Sequence, residues 1–108
     1  MAKIKFLSLD GLLEMQANNE KFRLIEVLKH ERFIEGHIHG AISMPLDTIS
    51  QNAKKLRKSE KIVVYCASYG CHASTNAAGI LLKMGFKNTL DFKGGKQAWE
   101  AAGLELVK

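Results

Sequence analysis

Apolar residues along this chain gather in short runs bounded by polar turns, and most runs are followed by a segment with helical spacing. Residues 4–9 read as a strand, and Asp10 as the N-cap of a helix carrying Leu12, Leu13 and Met15. That helix fades at Asn18, Asn19 and Glu20. Residues 23–27 read as a second strand, and in the charged stretch 28–35 Phe33 and Ile34 anchor a short helix. Gly36 and Gly40 punctuate a turn, residues 41–44 form a third strand, and Pro45 stops it. The spacing predicts a helix over 46–56, with Asp47 near its start and basic residues near its end, as the helix dipole prefers. Ile62, Val63, Val64 and Tyr65 are apolar throughout, the mark of a strand buried on both faces of a parallel sheet. A helix over 75–84, a turn at Gly85 and Phe86, a strand over 89–92, a Gly94-Gly95 turn and a helix over 96–102 follow.

Strands that alternate with helices at this spacing imply an α/β fold. The expected form is an open parallel sheet of about five strands, flanked by helices on both faces and occupying residues 1–108 as one domain. A length of 108 residues with 46% hydrophobic content supports one ordinary core. Ligands of such sheets bind outside the carboxyl ends of the strands, and Cys66 lies at one of them.

The net charge of +5 helps draw in small anions. The basic cluster at 54–58 has no aromatic interleaving and no zinc-finger spacing, so it reads as a solvated helix end and nucleic acid is not an expected partner. Two cysteines cannot build a disulfide scaffold, which points to a reducing compartment. The first ten residues lack the apolar run of a signal peptide, and no stretch reaches the roughly 18 apolar residues of a membrane span. A cytoplasmic protein without a membrane partner is expected.

The chemistry gathers at Cys66. It ends the apolar run and is followed by the small, polar loop Ala67, Ser68, Tyr69, Gly70, Cys71, His72, Ala73, Ser74, and then by a helix. Inward loop amides and a helix dipole favour a thiolate, so Cys66 is the expected nucleophile with a lowered pKa. Cys71, in the same loop, is either a resolving or relay cysteine or an unreactive small residue, and the sequence leaves both open. His72 is either a protonatable charge near the sulfur or a surface histidine. Ser68, Tyr69, Gly70 and Ala73 shape the loop through their amides, and Ser74 reads as the N-cap of the following helix. His37 and His39 belong to a turn, and Cys66, Cys71 and His72 lack a fourth ligand, so no metal is expected. Trp99 reads as packing beneath the Gly94-Gly95 turn.

Three blocks together resemble the rhodanese (sulfurtransferase) domain over essentially the whole chain. They are Glu35-Gly36-His37-Ile38-His39-Gly40-Ala41-Ile42 with Pro45-Leu46, Val63-Val64-Tyr65-Cys66 closing at Met84-Gly85-Phe86, and Gly94-Gly95-Lys96-Gln97-Ala98-Trp99 with Ala102-Gly103. The resemblance implies that Cys66 carries sulfane sulfur as a persulfide, without a cofactor, and yields it to a thiol or cyanide. Many members carry Cys-x-x-x-x-Arg-Ser, but here Ala73 stands where that arginine belongs and the loop is about two residues longer. Glu26-Val27-Leu28 also stands where members often have Asp-Val-Arg, keeping the acid and losing a cation. Thiosulfate, a dianion, is therefore expected to bind less well, and polysulfide or a protein persulfide is the better expected donor. A phosphatase or arsenate reductase needs Cys-x5-Arg, and His72 at that position cannot supply the bidentate fork. A thiol oxidoreductase or redox sensor using both cysteines, and a non-catalytic binding domain on the same fold, remain as alternatives.

Overall fold

The computed structural model describes residues 3–108, so Met1 and Ala2, with which the segment examined for a signal peptide begins, lie outside the described residues. Five strands make one parallel sheet: β1 (Lys5–Phe6), β2 (Arg23–Glu26), β3 (Ile42–Ser43), β4 (Ile62–Tyr65) and β5 (Thr89–Phe92), in the order β1-β5-β4-β2-β3. The central strand β4 is buried at every residue, as its unbroken apolar run implies. Helices α1 (Leu9–Ala17), α2 (His30–Glu35), α3 (Ile49–Asn52), α4 (Ala73–Lys83) and α5 (Gly95–Ala101) connect the strands. Among the described residues, no helix is long and apolar enough to cross a membrane.

Side-chain alternation along β4 splits the core between the two faces of the sheet. Ile62, Val64 and Cys66 pack with Ile49 and Ala53 and with Ala77, Ala78 and Leu81 of α4. Val63 and Tyr65 pack on the opposite face with Leu12 and Met15 of α1 and Trp99 of α5. Trp99 thus sits in the core and donates its indole N–H to the Glu105 carbonyl at 3.1 Å. Ala98 and Tyr69 are the side chains nearest the place a Gly94 Cβ would take.

Several boundaries differ from those the sequence predicts. Ser8, rather than Asp10, caps α1, its hydroxyl accepting the Gly11 amide at 3.0 Å. The chain therefore leaves β1 earlier than expected, and Asp10 occupies the first helical turn, where the dipole still favours it. Ile34 does not anchor α2: it is exposed, while the Phe33 ring stacks on His37 with centroids 3.9 Å apart. The helix expected over 46–56 is broken into the 3-10 turn Leu46–Thr48, then α3, then the 3-10 turn Ala53–Lys55. Its middle is polar, and short polar side chains compete for local hydrogen bonds; Asn52 donates to the Thr48 hydroxyl at 3.2 Å. Helix α4 begins at Ala73, two residues before its expected start, so Ser74 lies inside the first turn and His72 takes the cap position.

Candidate active site

The parallel register aligns Glu26, Tyr65 and Phe92 across the ends of β2, β4 and β5. The next row outward is Val27, Cys66 and Lys93, which places Cys66 at the carboxyl edge between two neighbouring strand ends. Cys66 itself is fully buried.

The start of α5 fixes the base of the loop. The Lys96 amide donates to the Cys66 carbonyl at 3.1 Å, and the Gln97 amide to the Ala67 carbonyl at 2.9 Å. First-turn amides of a helix have no partner within it, so this contact satisfies two of them. Gly95 makes the approach feasible: its φ is +57°, and a Cβ there would lie 2.2 Å from the Cys66 oxygen. Farther out, the Cys71 amide closes a turn on the Ser68 carbonyl at 3.0 Å. Tyr69, exposed at the rim, lies against Gly94.

The two cysteines meet inside this loop. The Cys66 thiol faces the Cys71 carbonyl oxygen at 3.5 Å and the Ser74 hydroxyl at 3.4 Å. The Ser74 amide favours the Cys66 thiolate, and the Ala67 and Ala73 amides favour the Cys71 thiolate. The lowered Cys66 pKa expected from the sequence is not what this geometry gives. Burial pushes the Cys66 thiol up, and its hydrogen bond with Cys71 adds to the rise, outweighing the pull of Ser74. Burial acts on Cys71 in the same direction but is overcome there by the hydrogen bond from Cys66, the two amides and the Lys93 charge, so Cys71 falls below the ordinary thiol range.

Lys93 is the residue that sequence reasoning missed. A cation was sought within the loop, and none lies there. Instead the Lys93 ammonium, one residue past β5, donates to the Cys71 carbonyl at 2.7 Å. The available signal was the row of residues just beyond the strand ends, which needs the strand order and register rather than a local motif. His72 is exposed and its side chain makes no cap hydrogen bond. Ser74 is buried beside the sulfur, in the first turn of α4 rather than at the cap expected of it.

A second polar group underlies the site on the opposite face. The buried Glu26 carboxylate accepts the Tyr65 hydroxyl at 2.9 Å and pairs with the Lys96 ammonium at 3.1 Å. The Tyr65 oxygen accepts the Ile38 amide at 3.1 Å, and Lys96 also donates to the Arg32 carbonyl at 2.8 Å. Here burial pushes the Tyr65 phenol far up, so it stays protonated and serves as a donor. An open cavity of about 780 Å³ adjoins the loop, lined by Ala67 and Ser68 with Arg32, Lys96 and Gln97. Another of about 670 Å³, around Phe22, Arg23 and Glu60, lies at the opposite ends of the strands, away from both cysteines.

The family model described as Rhodanese-like domain matches residues 8–102. A protein of Allochromatium vinosum named as a sulfurtransferase is 26% identical over 98 residues, covering 91% of this chain and 90% of the relative. A Bacillus subtilis protein whose name marks it as a candidate sulfur carrier is also 26% identical over 98 residues; the match covers 91% of this chain and 52% of that relative, so this chain spans about half its length. The solution structure of a rhodanese-like domain from an Anabaena protein superposes with a TM-score of 0.85 at 28% identity, covering 97% of this chain and 80% of that one.

Proposed function

Because the chain belongs to the rhodanese-like domain family, we propose that it is a sulfurtransferase, storing sulfane sulfur as a persulfide on Cys66 and passing it to a thiol or cyanide. The observation that carries this reading is the place of Cys66, at the carboxyl end of the central strand with the Ser74 hydroxyl 3.4 Å from its sulfur. In the first half-reaction the Cys66 thiol gives up its proton, and the thiolate attacks the terminal sulfur of the donor. The donor's sulfur–sulfur bond breaks and the remainder leaves with the electron pair. In the second half-reaction the acceptor attacks the outer sulfur of the persulfide, and Cys66 departs as thiolate. The donor brings the sulfane sulfur and the acceptor takes it, so electrons balance between them.

Polysulfide or a protein persulfide fits the site better than thiosulfate. The Lys93 ammonium at the loop is a point charge already engaged by the Cys71 carbonyl, and it cannot grip a dianion in the bidentate manner of a guanidinium. The reading is tested by incubating the protein with polysulfide and measuring its mass. One added sulfur should appear and be lost to cyanide as thiocyanate. Replacing Cys66→Ser should leave the circular dichroism unchanged and abolish both events. Undiminished transfer in that variant would end the reading.

A further inference from the structure

We propose that Cys71 is the port of the sulfur store: it receives the sulfur from Cys66 within the loop and presents it to acceptors too large to enter. This rests on the reading of Cys66 as the persulfide carrier. Three observations support it. Cys66 is fully buried, whereas Cys71 is only partly so. The Cys66 thiol faces the Cys71 residue, within 3.5 Å of its carbonyl oxygen. A positive charge stands at the outer cysteine: the Lys93 ammonium donates to its carbonyl at 2.7 Å. The lowered pKa of Cys71 and raised pKa of Cys66 agree with that geometry.

The step is a thiol–persulfide exchange. The Cys71 thiolate attacks the outer sulfur of the Cys66 persulfide, forming a Cys71 sulfur–sulfur bond. The bond from Cys66 to that sulfur breaks, and Cys66 keeps the electron pair and regains a proton in its buried position. No net oxidation or reduction occurs. An acceptor thiolate then attacks the outer sulfur on Cys71, which leaves as the stabilised thiolate. Attack by Cys71 on the inner sulfur would be a different reaction, releasing hydrosulfide and leaving a Cys66–Cys71 disulfide that a dithiol must reduce. The Lys93 charge held at Cys71 favours the exchange, because it stabilises that sulfur as the final leaving group.

The test uses polysulfide-loaded protein and two acceptors, cyanide and reduced serum albumin, a thiol on a large protein. The expectation is that in Cys71→Ser the ratio of transfer to albumin over transfer to cyanide falls by about tenfold or more, the positioned nucleophile being lost. Rapid alkylation of loaded wild-type protein, followed by peptide mass analysis, should find persulfide on both cysteines. An equal ratio in wild type and Cys71→Ser would overturn the port and leave the Cys66 store standing. Sulfur found on Cys66 alone in the wild type would overturn it independently of the variant's folding. Release of hydrosulfide with a Cys66–Cys71 disulfide would replace it by the dithiol reaction. If Cys66→Ser retains sulfur on Cys71 as well as wild type does, the store itself has been misassigned and both readings fall.

Discussion

At the scale of single residues, the site separates two properties usually expected of one cysteine. Cys66 has the position of a nucleophile, at a strand end and buried, while Cys71 has the electrostatic surroundings of a thiolate. A thiol reacts with iodoacetamide only as the thiolate, so the lower pKa reacts at the lower pH. The reactivity of Cys71 should therefore rise at a pH below the ordinary thiol value of 9.0, and that of Cys66 above it. Peptide-resolved alkylation across a pH series measures this, and the reverse order would refute the assignment. Cys66 and its loop were legible in the sequence because a β-branched run ending in cysteine, followed by small residues and a helix, is a local pattern. Lys93 was not legible: it is 22 residues from Cys71 in the chain and meets it only through the pairing of β4 with β5. The pKa order also escaped a local reading, because the loop motif shows the helix dipole but not how deeply the strand end is buried.

At the scale of elements, the ends of β2 and β4 and the starts of α2 and α5 are tied together by one buried ion pair. Lys96 and Glu26 have side-chain exposures of 10% and 0%. Lys96→Met would leave the Glu26 carboxylate buried without its counter-charge, a loss of about 3–5 kcal/mol. Urea unfolding should show that loss, and adding Glu26→Gln should restore part of it, since the amide oxygen still accepts the Tyr65 hydroxyl. An equal loss in the single and double variants would rule out the ion-pair account. Elements were legible where the hydrophobic period was unambiguous, as in β4 and β5, whose bounds match those predicted. The segment 46–56 was misread because its basic end and acidic start satisfy a helix dipole, while its polar middle favours shorter hydrogen bonds. Ile49 and Ala53 are the buried residues of this stretch, with Leu46 and Leu56 half-buried against the core at its two ends and polar residues between them.

At the scale of the whole molecule, the expected open parallel sheet with helices on both faces is what the chain forms. Alternation of strands and helices dictates the class, but the order β1-β5-β4-β2-β3 is a property of three-dimensional packing that puts Cys66 at the centre and Lys93 just past the end of the neighbouring strand. The contact of α5 with the base of the loop has a further consequence, one of timescale. The amides of Lys96 and Gln97 lie at the start of a helix, where hydrogens ordinarily exchange fast with solvent. Here they are bonded to the carbonyls of Cys66 and Ala67, so they can exchange only when the strand end and the helix part. The Cys71 amide is held by a single turn in a partly exposed rim and should exchange orders of magnitude sooner. Hydrogen-exchange spectra should therefore divide the site into a slow floor and a fast lip, and comparable rates at all three amides would contradict that division. Such a molecule can admit and release partners by local motion of the lip while Cys66 stays fixed to the slowest-opening part of the fold.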